Sequence, residues 1–355
     1  MERLISLLGP LVRHLLWVLL RLPGFLLEWL TPNLPPGGEM LAPDQRFLAA
    51  LSTAVGADSV EGIPVEVQRE QTDDSALLVS ASVRAAGMTV SEHEVAGASG
   101  PLRMRLYRPE GDGDAPGPLL VWFHGGGWVV GSIASHDDSL RMLAARSGVP
   151  VASVEYRLAP EHPWPAAPDD CLAAWRDIRA RATEFGTEPD RMLVGGDSAG
   201  GNLAVVLCLE LDWADEPMPL GAVLLYPVTD LAGKSESYHQ FANGFFLSEQ
   251  KMDFYRDAYL PEGIDRADPR VSPLRAKLLR GLPRTYLATA VADPLRDEGE
   301  ALAERMRGEG VEVATDRFPA IHAWFNMTVG PSSVQAIEVL ATRVSRFASV
   351  SSPAD

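Results

Sequence analysis

Cysteine is almost missing from this chain: 355 residues contain two, Cys171 and Cys208. Each falls in a stretch read as a core helix, so buried free thiols are expected rather than a disulfide framework. Positive charge is the second shortage. Lys and Arg number 31 against 48 Asp and Glu, a formal charge of −17. Phosphate contacts need clustered cations, so no nucleic-acid partner is expected, and attachment of the whole body to an anionic membrane is disfavoured. Histidine is scarce too, and no Cys/His spacing resembles a zinc site, so neither metal nor cofactor is expected. Long apolar runs are also lacking. In the hydrophobic N-terminal stretch the longest is Leu15 to Leu20, too short to span a bilayer.

What is present is enough apolar material for a large core, 46% of all residues. The length suits one α/β core with insertions. The first stretch, "MERLISLLGPLVRHLLWVLLRLPGFLLEWL", forms an N-terminal extension over 1–40. Its polar residues Arg3, Ser6, Arg13, Arg21 and Glu28 recur at roughly helical spacing, leaving a wide apolar face. Pro10 and Pro23 are expected to divide it into short helices. No small-residue cleavage site follows, so a removed secretory signal is not expected and the protein is placed in the cytoplasm. The apolar face must be covered. Packing on the body or in a homodimer is the first expectation; peripheral membrane contact through residues 1–30 is the alternative.

Thr31 to Pro43 reads as a linker and "PDQRFLAALSTAV" as an amphipathic helix. "TVSEHEVAG" and "PLRMRLYRPEG" form an antiparallel opening pair of strands. Strands and helices then alternate, which implies a mostly parallel sheet covered on both faces. The stretch around 228–273 breaks that rhythm and reads as an insertion. The expected division is a helical cap from 41–85 and 228–273, with the core from 86–227 and 274–350.

"GDSAGGN" poses the functional question. Glycines two residues before and after Ser198 permit a sharp strand-to-helix turn that presents the hydroxyl. A serine needs a base to take its proton, a carboxylate to orient the base, and fixed N–H donors for an oxyanion. In an open parallel sheet these belong at the C-terminal strand ends. "WFHGGGWVVGS" directly follows the strand "PLLVWF", so Gly125 and Gly126 are nominated as donors, with the N–H of Ala199. His124 is assigned to shaping that loop. Of the histidines after Ser198, His239 lies in a polar part of the insertion, whereas His322 follows the last strand and is the candidate base. In "VADPLRDEGE", Asp297 and Glu300 have a capping-box pattern, which leaves Asp293, at a strand end, as the acid.

Taken together, "HGGGW…GS", "YRLAPEHPWPAAPDD", "GDSAGGN", "DPLRDE" and the late histidine resemble the hormone-sensitive-lipase family of α/β-hydrolases, the microbial carboxylesterase branch. The resemblance extends from about Met40 to the last helix. It implies an α/β-hydrolase fold with a helical cap, and Ser198, Asp293 and His322 as nucleophile, acid and base. "YRLAPEHPWPA" is read as a structural turn beneath the site. The expected activity is hydrolysis of short- to medium-chain carboxylic esters through an acyl-enzyme, with a small-molecule ester as partner. Trp128, Phe245 and Phe246 are candidate walls of the acyl site. Rival activities are those of a lactonase, amidase or acyltransferase on the same triad, or of a non-catalytic small-molecule receptor. The chain departs from the family at Ala323, where glycine is frequent, so an ordinary backbone is expected there.

Overall fold

The computed structural model describes residues 2–31, 34–57, 59–81, 87–111 and 116–349, without the side chains of 2–8. The expected boundary at 85/86 and the core's end at 350 lie outside them. The chain opens with α1 (Glu2–Leu19), α2 (Gly24–Leu30), α3 (Pro43–Ala54) and α4 (Val65–Leu78). Pro10 does not divide the extension: α1 runs through it, because one lost i−4 bond leaves the neighbouring turns intact. Only the break before Gly24 bends the chain, by 120°.

The core begins with β1 (Met88–Gly97) and β2 (Gly100–Pro109), an antiparallel pair, followed by β3 (Gly117–Phe123), α5 (Ile133–Ser147), β4 (Val151–Val154) and α6 (Ala166–Ala180). Then come β5 (Thr187–Asp197), α7 (Ala199–Trp213) and β6 (Ala222–Leu225). The insertion contributes α8 (Glu236–Gln240) and α9 (Glu249–Tyr259). The alternation resumes with β7 (Thr285–Ala292), α10 (Arg296–Gly308), β8 (Val313–Ile321) and α11 (Pro331–Ala348).

The eight strands among the described residues form one sheet in the order β1-β2-β4-β3-β5-β6-β7-β8, parallel from β4 onwards. Alternate residues of each strand face opposite ways. Leu119, Val121 and Phe123 join α6, α7 and α10 in one core, while Leu120 and Trp122 join α5 and α11 in the other. Cys171 and Cys208 are free thiols buried in the first of these. The order of connections reverses between β3 and β5, the switch point where open α/β sheets gather their ligands.

A third cluster joins the extension to the body. Leu16 of α1 and Leu20 just beyond it meet Leu41, Phe241, Phe245, Ala292 and Ile321. The Arg21 guanidinium donates to the Val329 carbonyl at 3.1 Å. The extension thus packs by one face, whereas Leu11, Leu15, Phe25 and Trp29 remain exposed.

Candidate active site

Strand register assembles the site. Phe123 of β3 pairs with Gly196 of β5, so the glycine loop and Ser198 emerge side by side. Ala292 of β7 pairs with Ile321 of β8, so Asp293 and His322 are the next residues of adjacent strands. Parallel pairing sends all four segments out at one edge.

Ser198 occupies the junction of β5 and α7 with φ 55° and ψ −118°, a conformation that costs a non-glycine residue energy. The turn is tight enough that a Cβ at Gly200 would strike the Phe123 carbonyl oxygen, and one at Gly196 would strike the Gly200 backbone. The Ser198 N–H donates to Leu225 O at 2.8 Å, and its carbonyl accepts from Asn202 and Val228. The strained residue is therefore held by α7, β6 and the root of the insertion together.

His322 Nε2 lies 2.9 Å from Ser198 Oγ, and His322 Nδ1 lies 2.8 Å from Asp293 Oδ2. The other Asp293 oxygen accepts from the Leu295 N–H at 2.8 Å. All three side chains are buried, Asp293 completely. With its proton on Nδ1, the imidazole presents a free lone pair to the serine hydroxyl.

The glycine loop corrects one expectation. The Gly125 N–H is spent on Asp197 Oδ1 at 3.1 Å, so it does not face the serine. The amides of Gly126, Gly127 and Ala199 donate to no group among the described residues. Gly126 and Gly127 both have positive φ, and the Cβ position of Gly127 is filled by the Tyr255 ring of α9. His124 has the shaping role expected of it, with Nδ1 2.8 Å from Gly125 O and its ring stacked on Tyr156. The turn after β4 supports the same loop from below. Tyr156 donates its hydroxyl to the His124 carbonyl, and the Ala159 N–H donates to Trp128 O, each at 2.8 Å.

Asp197 and His136 are the residues that sequence reasoning missed. The Asp197 carboxylate is buried between His136 Nε2 at 3.0 Å, the Gly125 N–H and Trp122 Nε1. Burial opposes both charges. The mutual attraction and hydrogen bonds outweigh it, holding His136 above and Asp197 below their ordinary ranges. The pair clamps the glycine loop to the serine turn. Asn202, the last residue of "GDSAGGN", donates to Val228 O and Val271 O and so ties both ends of the insertion to α7. Only adjacency to Ser198 marked Asp197, and no short-range pattern marked His136.

Two further expectations are corrected. Asp297 and Glu300 make no capping box. α10 starts after Leu295 without a side-chain cap, while Asp297 accepts from the Ser237 N–H of α8 and Glu300 from Thr289. Ala323 is left-handed, with φ 63° and ψ 20°, at the sharp turn between His322 and the buried Trp324. The three aromatic candidates fall in two clusters, Trp128 in the first and Phe245 with Phe246 at the third. Trp128 is fully buried and stacked on Tyr259 at 4.2 Å; Phe245 is buried edge-on to Phe241; Phe246 is half-buried beneath the Lys251 ammonium. His239 is exposed on α8.

A switch-point serine on a strained strand-to-helix turn, in a mostly parallel sheet of this order, defines an α/β hydrolase. The family model of the alpha/beta hydrolase fold matches residues 120–326. The chain belongs to that family, in the carboxylesterase branch similar to hormone-sensitive lipase. It is 39% identical to carboxylic ester hydrolase LipN of Mycobacterium tuberculosis, over 78% of this chain and 74% of that protein. It is also 39% identical to an ethyl acetate hydrolase of Pseudomonas putida, over 62% of this chain and 70% of that one. Among solved structures, the ester hydrolase EH1AB1 from the Lake Arreo metagenome, complexed with a bipyridine phosphonate derivative, superposes with a TM-score of 0.83. It shares 39% identity over 86% of this chain and 98% of its own. A thermostable Pseudomonas putida esterase gives 0.81 at 30% identity, covering 90% and 99%.

Proposed function

We propose that the protein is a serine carboxylesterase acting through an acyl-enzyme, with Ser198, His322 and Asp293 as its triad. The carrying observation is the unbroken chain of hydrogen bonds from Asp293 through His322 to Ser198, beside three uncommitted amides. Ser198 Oγ attacks the ester carbonyl while His322 Nε2 takes its proton. The carbonyl oxygen becomes an oxyanion held by the N–H groups of Gly126, Gly127 and Ala199. Collapse of the tetrahedral intermediate breaks the bond to the alcohol, which leaves with the proton from His322. Water then attacks the acyl-serine with the same histidine as base, releasing the acid and restoring the hydroxyl. Asp293 fixes the tautomer and stabilises the imidazolium. The substrates proposed are short- to medium-chain carboxylic esters.

The test is Ser198→Ala, measured with p-nitrophenyl esters from acetate to palmitate and with a phosphonate probe. Turnover is expected to fall roughly 10⁴-fold or more with the fold retained. The probe should label the wild-type chain once and the variant not at all. A variant keeping a tenth of wild-type turnover in a clean preparation overturns the assignment.

A further inference from the structure

The inward face of the extension is satisfied; its outward face is not. Leu16, Leu20 and Leu27 are buried, but Leu11, Val12, Leu15 and Val18 of α1 and Phe25 and Trp29 of α2 all stand in solvent, Trp29 at 80% and Phe25 at 70% exposure. On a helical wheel Leu11, Leu15 and Val18 share the side opposite Leu16 and Leu20. Six large apolar side chains exposed on two consecutive helices mark an interaction surface.

We propose that this face docks the protein onto a lipid bilayer, the two helices lying in the interface rather than crossing it. The geometry favours the interfacial arrangement. No single helix among the described residues is long and apolar enough to cross; the two pass that test only together, as a pair bent by 120° whose Leu16 and Leu27 are buried. Charge selects lipid over a second copy. From Gly9 to Leu30 the only carboxylate is Glu28 of α2, while α1 carries Arg13 and His14 and Arg21 follows its end. Arg13 and His14 suit headgroup phosphates, while the Arg21 guanidinium is held by the Trp17 and Val329 carbonyls. A face-to-face dimer would instead bring together two chains of −17 each. Composition agrees, with aliphatic side chains along α1 and tryptophans at positions 17 and 29, the residue type that favours the bilayer interface. Leu16 and Leu20 share a cluster with Ala292 and Ile321, which immediately precede Asp293 and His322. On the esterase reading, on which this step rests, docking sets the site beside a reservoir of esters dissolved in lipid.

The experiment compares the full-length chain with the triple variant Leu15→Gln, Phe25→Ser, Trp29→Ser. Co-sedimentation with phosphatidylcholine vesicles and with phosphatidylglycerol vesicles is measured, as is sedimentation velocity without lipid. The full-length chain is expected to bind phosphatidylcholine vesicles, with a blue shift of tryptophan emission, and the variant to bind about 100-fold more weakly. Hydrolysis of p-nitrophenyl acetate should be unchanged in the variant. Three results overturn the proposal: no binding to phosphatidylcholine, equal binding by the variant, or a lipid-free dimer that the variant dissolves. Vesicle binding is read without catalysis, so inactivity towards p-nitrophenyl acetate would strike the esterase reading alone.

Discussion

Two aspartates four residues apart carry different duties, and the difference lies in a strand end. Asp293 follows β7 and points both oxygens at fixed partners, the His322 imidazole and the Leu295 amide. Asp297, the second residue of α10, holds the Ser237 backbone and pairs with Arg296 at a partly exposed site. Asp293→Asn should lower kcat about 10⁴-fold by presenting the wrong tautomer, with little change in fold. Asp297→Asn keeps an acceptor for Ser237 and gives up only a partly exposed pair, so its kcat should stay near wild type and its stability fall by about 1 kcal/mol. Steady-state kinetics and thermal melts on both variants decide; a kinetic collapse in Asp297→Asn alone would mean that the acid is misassigned. Ala323 makes a second residue-scale case. Its left-handed backbone strains a residue whose methyl packs only at the edge of the third cluster, so Ala323→Gly should stabilise the protein by about 0.5–1 kcal/mol in chemical denaturation. A loss of stability would show that the methyl packing outweighs the strain.

At the scale of elements, what the sequence disclosed and what it concealed follow the range of the interaction. Strand and helix periods are local, and so β3, β5, β7 and the elbow were legible from their apolar runs and glycines. The histidine base could be found because chain order and strand ends leave few positions open. The Asp197–His136 clamp was concealed, since it joins residues 61 apart through the packing of α5 on the sheet. Gly125 misled for the same reason. Three consecutive glycines look equivalent in sequence, and only the carboxylate of Asp197 separates the first from the other two. The junction of α10 with the insertion is similarly hidden. Glu298 is buried there and accepts from the Thr229 and Asp230 amides at 2.6 and 3.2 Å. Burial outweighs those donors and pushes its carboxyl up to about 8. In the unfolded chain the group titrates near the ordinary 4.5, so between these values unfolding releases a proton. Stability should therefore fall as pH rises from about 4.5 to about 8 and level off beyond it. Glu298→Gln should flatten that slope in a series of thermal melts across the range. An unchanged slope would place the pH dependence elsewhere.

The whole molecule is a hydrolase body with a hydrophobic extension clasped to it, and the clasp has two consequences that pull in opposite directions. Along its inner side the extension completes the core: Leu16, Leu20 and Leu27 are each no more than 8% exposed, and Pro35 packs over Gly244 of the insertion. Burying three leucines at roughly 1.5–3 kcal/mol each contributes on the order of 5 kcal/mol before the cost of ordering the chain. Along its outer side the same helices present apolar surface to solvent. A chain lacking residues 1–36 therefore loses both features at once. It sheds the exposed patch but uncovers Phe241, Phe245, Leu41 and Ile321, the far side of the shared cluster. Because that cluster reaches the residues before Asp293 and His322, loosening it should disturb the catalytic pair as well as the fold. The truncated chain is thus expected to melt several degrees lower, to aggregate more readily despite having fewer exposed hydrophobic residues, and to lose turnover on short soluble esters. Size-exclusion profiles, thermal midpoints and p-nitrophenyl acetate kinetics on the two chains measure each effect separately. A truncated protein that is monodisperse, as stable as the parent and fully active would mean that the inner contacts carry no energy and that the body is complete without them.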